Sequence, residues 1–330
     1  MKTLMLLGLG FVAAGCLEVG VKTTVNADGS SERAVHVTTD KQERPEAAFP
    51  LPSDSSWSIT WQPAGEKKQG YEFTAMKRFA TPGELAAEYA SRSDTALFGL
   101  RVSLDRRFEW FYTYVDYREA YSIRSPFRRL PLESYLTAAE IERVRSGMQL
   151  DDSLGRKLGD WVELSALEEF LHDLVGAATM HGLTDVAAAL EARRGDIRSI
   201  VRDNEMKGVE DGMQRLNGLL GMPAVMELLP AARESWKRIE KAMERLQTAD
   251  GTYRNSVTMP GLILETNSAS VEGATASWEV DAKRLLAGEY AMSATSRVVN
   301  VWAFVVTALA GIALLALVLV RVLPRRAPPA

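Results

Sequence analysis

A chain of 330 residues that is 46% hydrophobic and 25% charged has the composition of an ordinary folded protein. Its balance of 39 Lys and Arg against 43 Asp and Glu, a net charge of −4, excludes a broadly basic nucleic-acid surface. A single cysteine, Cys16, excludes an internal disulfide framework.

Taken in chain order, residues 1–15 read as a secretion signal. Lys2 supplies the positive charge, Leu4 to Phe11 the apolar stretch, and Ala13, Ala14 and Gly15 the small residues before Cys16. The layout resembles a bacterial lipobox, in which the cysteine is diacylated and becomes the new N-terminus, with Ala13 where that motif usually has leucine. Cys16 is therefore the expected lipidation site.

Strand signals begin at once. Val19, Val21, Thr23 and Val25 alternate, Asn26-Ala27-Asp28-Gly29 supplies a turn, and Val35, Val37 and Thr39 alternate again, which predicts a hairpin. After a polar, proline-containing loop from Lys41 to Ser56, a second hairpin is expected from Trp57–Trp61 and Tyr71–Phe79 across Gly65-Glu66-Lys67-Lys68. Thr81-Pro82-Gly83-Glu84 combines an N-cap, a proline at the first helical position and a capping-box glutamate, so a helix should run to Ser91. Leu97–Leu104 reads as a strand. Phe108–Tyr121 reads as one long aromatic strand, with Phe108, Trp110, Tyr112 and Tyr114 on one face and Phe111, Thr113, Val115 and Tyr117 on the other.

From Leu136 to Gln247 the period becomes helical, with capping boxes at Thr137/Glu140 and Ser165/Glu168 and a stop at Gly182. Apolar stripes Leu167, Leu171, Leu174 and Trp236, Ile239, Met243, Leu246 support that reading. Strands resume at Tyr253, Leu262–Thr266 and Thr275–Val280, with Ser270–Ala274 as a connection, and the last is Tyr290–Arg297. Val301–Val320 is an unbroken uncharged run long enough to span a bilayer. Arg321, Arg325 and Arg326 place its far end in the cytoplasm, and Trp302 suits the opposite headgroup layer.

The expected fold class is α+β. A membrane-apposed antiparallel β domain (16–135 and 251–297) would carry an inserted helical module (136–250), followed by a transmembrane helix (298–323) and a cytoplasmic tail (324–330). With the first and last strands both ending near the bilayer, the domain should lie on the surface of the inner membrane, outside the cytoplasm.

The Cys16 region, the Asp28-Gly29 turn, Pro260-Gly261, Thr266-Asn267, Gly273, Trp278 and Tyr290, followed by a span, together resemble the LppM-type lipoprotein domain. The resemblance covers the β portions only. It implies a membrane-anchored β-rich envelope lipoprotein that binds lipid or glycolipid, and it supplies turn and packing residues rather than chemistry.

No arrangement of reactive residues stands out. Glu168, His172, Asp173, His181 and Asp185 lack the paired histidines of a zinc-protease helix. No glycine-flanked serine forms a nucleophile elbow, and Gly208, Gly212, Gly218 and Gly221 do not follow a strand as a phosphate loop would. No catalytic residue, cofactor or metal is assigned. Phe108, Trp110, Tyr112 and Tyr114 are either the core of a central strand or the wall of an apolar ligand groove. Arg106, Arg107, Arg128 and Arg129, within a locally basic stretch, are candidates for contact with anionic headgroups. The expected function is non-enzymatic binding of a lipid, glycolipid or hydrophobic ligand, with membrane lipids as partners and no nucleic acid. The alternative is a scaffold whose helical insert docks another envelope protein.

Overall fold

The structure, a computed structural model, describes residues 17–40, 49–52, 54–64, 70–92, 97–123, 125–127, 129–146, 151–203, 208–249 and 251–322. The secretion signal, Cys16, the turn expected at 65–68, Arg124, Arg128, Arg325 and Arg326 lie outside the described residues.

In chain order come β1 (Leu17–Val25), β2 (Ser31–Thr39), β3 (Ser58–Pro63), β4 (Tyr71–Phe79), α1 (Pro82–Arg92), β5 (Phe98–Glu109) and β6 (Tyr112–Ile123). A helical segment follows: α2 (Ala138–Arg145), α3 (Asp152–Met180), α4 (Thr184–Ala192), α5 (Arg194–Asp203), α6 (Val209–Leu220) and α7 (Leu229–Ala249). The chain returns through β7 (Gly251–Thr258), β8 (Leu262–Thr266), β9 (Ser270–Glu272), β10 (Thr275–Asp281), α8 (Ala282–Leu286) and β11 (Tyr290–Val299), and then enters α9 (Val301–Val322).

The strands form two sheets, one of seven strands in the order β3-β4-β2-β1-β7-β10-β9 and one of four in the order β5-β6-β11-β8. Pairing is antiparallel except between β1 and β7, which run parallel with Val19 opposite Tyr253. Strict alternation on β1 and β2 sends Val19, Val21, Val35 and Val37 inward, where they meet Leu100, Val102, Leu104, Val115 and Tyr117 of the smaller sheet in one core. Helix α1 closes this core at β5 with Leu85 and Tyr89.

The sandwich has two distinct poles. Hairpin β5–β6 pairs Phe98 with Ile123 at one end and Glu109 with Tyr112 at the other, about 36 Å apart at 3.3 Å per residue. Tyr253, beside Val19 of β1, has its ring 4.7 Å from Phe98. Gly29, in the β1–β2 turn with φ of 91°, lies against Arg106 near the other end. Leu17 therefore starts at the Phe98 pole, and Asn300, bonded to the carbonyl of Glu109, leaves from the opposite pole. The expectation that the first and last strands share one sheet and end side by side is thus corrected: β1 and β11 sit in different sheets, and Leu17 and Val299 lie at opposite poles.

Three differences from the sequence reading have local causes. The long aromatic strand is a hairpin that reverses at Trp110-Phe111. Neither turn residue is Gly, Asn or Pro, and no described non-glycine residue has positive φ, so the usual two-residue turn signal is missing. Ser165 and Glu168 lie inside the 29-residue α3, where Ser165 donates back to the carbonyl of Trp161; the N-cap is Asp151, which accepts from the N–H of Leu154 at 2.8 Å. The expected connection at Ser270–Ala274 contains the short strand β9. At Thr137/Glu140 the capping box forms as its sequence implies.

The helices bury two further clusters. Leu132, Leu136, Ile141, Leu158, Trp161 and Met243 pack next to Ile123 and Leu286 at the Phe98 pole, and Leu171, Leu174, Val186, Met213 and Val225 form a core farther along α3. The helical segment therefore sits at the pole away from α9.

Candidate functional site

At the other pole, the tip of hairpin β5–β6 clasps the start of α9. Asn300 organises the contact. Its side-chain NH2 donates to the carbonyls of Glu109 and Trp110 at 2.9 and 3.2 Å, its backbone N–H to Phe111 O at 2.9 Å, and its Oδ1 accepts from Thr113 Oγ1 at 3.0 Å. These bonds satisfy the carbonyls of a turn whose own residues have no preference for turning, and this explains why the reversal occurs there. The rings complete the clasp. Phe108 stacks on Trp302 at 6.1 Å, Trp110 meets Trp302 edge-on at 5.2 Å, and Phe111 lies 4.6 Å from Phe304. Trp110 Nε1 donates to Thr307 Oγ1 at 2.9 Å, two turns into α9. Ala303, fully buried, is the small residue on the helix at this contact.

Helix α9 is long and apolar enough to cross a membrane, with a mean hydropathy of 2.8 over its most apolar 18 residues, and almost all of it is exposed. The tip shares that character: Phe108 and Trp110 remain 50% and 48% exposed despite their ring contacts. Leu262 and Val299, near the same pole, are exposed as well.

The four aromatic residues expected on one face are divided among three settings. Phe108 pairs with Thr113 and so shares its inward side, Trp110 is in the turn, and Tyr112 and Tyr114 pair with Glu109 and Arg107 on the outward side. Arg297 lies over the Tyr112 ring at 4.7 Å and Arg107 over Tyr114 at 5.1 Å. The arginines separate too. Arg106 and Arg107 are exposed just above the tip, whereas Arg129 is at the opposite pole and faces Glu169 at 3.7 Å. Of the carboxylates weighed as metal ligands, Glu168 engages Arg194 and Arg198, each at 2.7 Å, and Asp173 engages Ser235 and Arg238.

Between the sheets, the same hairpin buries a charged network that the sequence reading missed. Arg33 of β2 and Glu119 of β6 have fully buried side chains and form a bidentate pair at 2.5 and 3.1 Å. Arg33 also donates to Thr23 Oγ1 at 2.9 Å and lies over the Tyr89 ring at 4.7 Å; Glu119 also accepts from Tyr117 and, at 2.6 Å, from Asn255. Burial alone would raise the Glu119 carboxyl, but the facing guanidinium and these donors hold it below its ordinary range. Burial, then the adjacent carboxylate, push the Tyr117 hydroxyl up. Sealed from solvent, the network fixes the hairpin to the larger sheet rather than meeting a ligand. Its signal was phase: Arg33 and Glu119 fall on the inward alternation of their strands, in step with Val35, Val37 and Val115. A surface cleft of 570 Å³ near the β1–β2 turn is lined by Asn26, Ser30, Glu32 and Arg78 together with Phe79 and Ala80.

No protein-family model and no curated protein matches the chain. Among solved structures, the NMR structure of the folded domain of Mycobacterium tuberculosis LppM aligns with a TM-score of 0.34 and 11% identity, covering 87% of this chain and 94% of that one. The structural resemblance is weak. Asn267, Trp278 and Gly261, among the residues that suggested an LppM-type domain, make defined contacts in this fold. Asn267 Oδ1 accepts from Trp278 Nε1 and Ser293 N–H, while its amide donates to Ala291 O, tying β10 of one sheet to β11 of the other. Gly261, at φ of 76°, passes so close to the carbonyl of Arg297 that a Cβ would lie 2.3 Å from it.

Proposed function

We propose that this chain is a non-enzymatic envelope lipoprotein that engages lipid, glycolipid or another hydrophobic ligand at a membrane surface. Helix α9 crosses the inner membrane, Arg321, Arg325 and Arg326 lie on the cytoplasmic side, and an acyl chain on Cys16 holds the other end of the extracytoplasmic domain. The observation that carries this reading is the clasp between the hairpin tip and α9, which keeps half-exposed aromatic rings beside a helix suited to lipid. The scaffold alternative would be favoured by an exposed apolar patch on the helical segment. Among the described residues of α2–α7, Met180 is the only large apolar side chain exposed to that degree.

Because β1 begins at the pole away from α9, one leaflet holds both attachments only if the long axis of the sandwich leans toward the bilayer. A reporter after Ala330 should be cytoplasmic and one inserted at Asp203 should not. Native mass spectrometry of the full-length protein extracted from membranes should show retained lipid that falls in a Phe108→Ser/Trp110→Ser variant of unchanged fold. Absence of retained lipid, or retention indifferent to these changes, would contradict the ligand-binding reading.

A further inference from the structure

We infer that the β5–β6 tip is a wedge inserted into the outer leaflet beside α9, with Arg106 and Arg107 at the level of the lipid phosphates. The inference rests on the proposal that α9 crosses a bilayer, and goes beyond it by assigning depth and lipid contact to the hairpin.

Val301–Arg321 contains 21 residues and rises about 31 Å, close to the roughly 30 Å hydrocarbon core. Thr307 is two turns in, about 9 Å below Val301. If the hydrocarbon began only beyond Thr307, the remaining helix would supply about 21 Å, too short to cross. The Trp110 indole bonded to Thr307 is therefore drawn below the surface with the helix, and Phe108 and Phe111 flank it against Trp302 and Phe304.

The chemistry of the tip fits that position. Inside a leaflet an unsatisfied backbone carbonyl is costly, and Asn300 together with the turn covers those of Glu109, Trp110 and Phe111. Aromatic rings with one polar edge suit the boundary between headgroups and acyl chains. Arg107 and Arg106 stand three and four residues before Trp110, about 10 to 13 Å along the strand, which is headgroup distance. Arg107 keeps its guanidinium over Tyr114 and 3.4 Å from Glu109, so its charge is held near the rim. The occupant is the outer-leaflet lipid itself, with a preference for anionic headgroups.

The test uses full-length protein in a Cys16→Ser background, reconstituted in nanodiscs of phosphatidylcholine with phosphatidylglycerol. Single nitroxide labels are placed at Phe108→Cys, Glu109→Cys, Leu314→Cys and Met180→Cys, and relaxation by oxygen and by a water-soluble nickel chelate is compared. Labels at 108 and 109 should be shielded from nickel and accessible to oxygen, approaching 314 and opposite to 180. Adding Arg106→Gln and Arg107→Gln should make the 108 label several-fold more accessible to nickel, and more so with phosphatidylglycerol than without it. If 314 is buried in lipid while 108 and 109 match 180, the wedge is wrong and the crossing helix stands. If 314 also matches 180, the membrane reading itself fails. Two labels at the tip guard against a local disturbance by either one.

Discussion

One hairpin carries two regions with opposite chemistry. Where β5–β6 faces the larger sheet it buries an ion pair, and where it runs past that contact it exposes phenylalanine and tryptophan. In a protein surrounded by water the assignments would be reversed, since isolated charges resist burial and large apolar rings seek it. The buried end is tolerable because Arg33 and Glu119 offset each other's charge and draw in Thr23, Tyr117 and Asn255, leaving Arg33 Nε and Asn255 Oδ1 without a partner. The exposed end is tolerable where the surroundings are apolar. The inversion is what the proposed wedge requires, a hairpin clamped in protein at one level and facing an apolar medium at another.

The buried end should be the more fragile. Glu119→Gln leaves Arg33 charged and unpaired in the core, and denaturant unfolding should report a loss of about 3 to 5 kcal/mol. Replacing both, as Arg33→Met with Glu119→Leu, should recover most of it; a double variant as unstable as the single would mean that the pair contributes specific structure which apolar packing cannot replace. Acid sharpens the same point. Because Glu119 is held below its unfolded value, near 4.5, its contribution is fully present above that pH and lost as pH falls through the lower folded value. An acid titration of Glu119→Gln should lack that part of the wild-type transition.

The junction between the two ends comes next. Asn300→Ala removes the donors to Glu109 and Trp110, and should cost about 1 to 3 kcal/mol, visible as faster hydrogen exchange at the turn and the first turn of α9. Unchanged exchange there would mean that ring contacts alone hold the clasp.

These residues also show how much could be read in advance. The β1–β2 hairpin and the Thr137/Glu140 cap were legible because alternation and capping are local. The reversal at Trp110-Phe111 was not, since the groups that stabilise it arrive from Asn300, far along the chain. The parallel pairing of β1 with β7 is similarly non-local and has no pattern in either strand. The Arg33–Glu119 pair was recoverable in principle, because a charge in phase with buried valines on one strand calls for an opposite charge in phase on another. At the tip, the aromatic residues were visible as a group, but the assumed straight strand assigned Phe108 the wrong face.

Away from the hairpin, effects should be smaller. Thr137→Ala removes the α2 N-cap and should cost about 1 kcal/mol, measured by denaturant unfolding. Glu140, held at about 2 chiefly by its bond from Lys157 and then by Thr137, stays ionised across ordinary pH, so this cost should be flat from pH 5 to 8. Smallest in stability is Phe108→Ala, which gives up one ring stack worth about 0.5 to 1.5 kcal/mol. Its signature should be lost lipid contact rather than a lower melting point.

The most direct measurement of the central claim compares tryptophan quenching in wild type and Trp110→Phe, using full-length protein in bilayers with bromine at successive acyl positions. The difference between the two should be quenched most strongly by bromines at mid-chain positions, about 9 Å below the headgroups and level with Thr307, and be insensitive to aqueous iodide. Quenching of that difference by iodide, with no effect of brominated lipid, would place Trp110 in water and contradict the account.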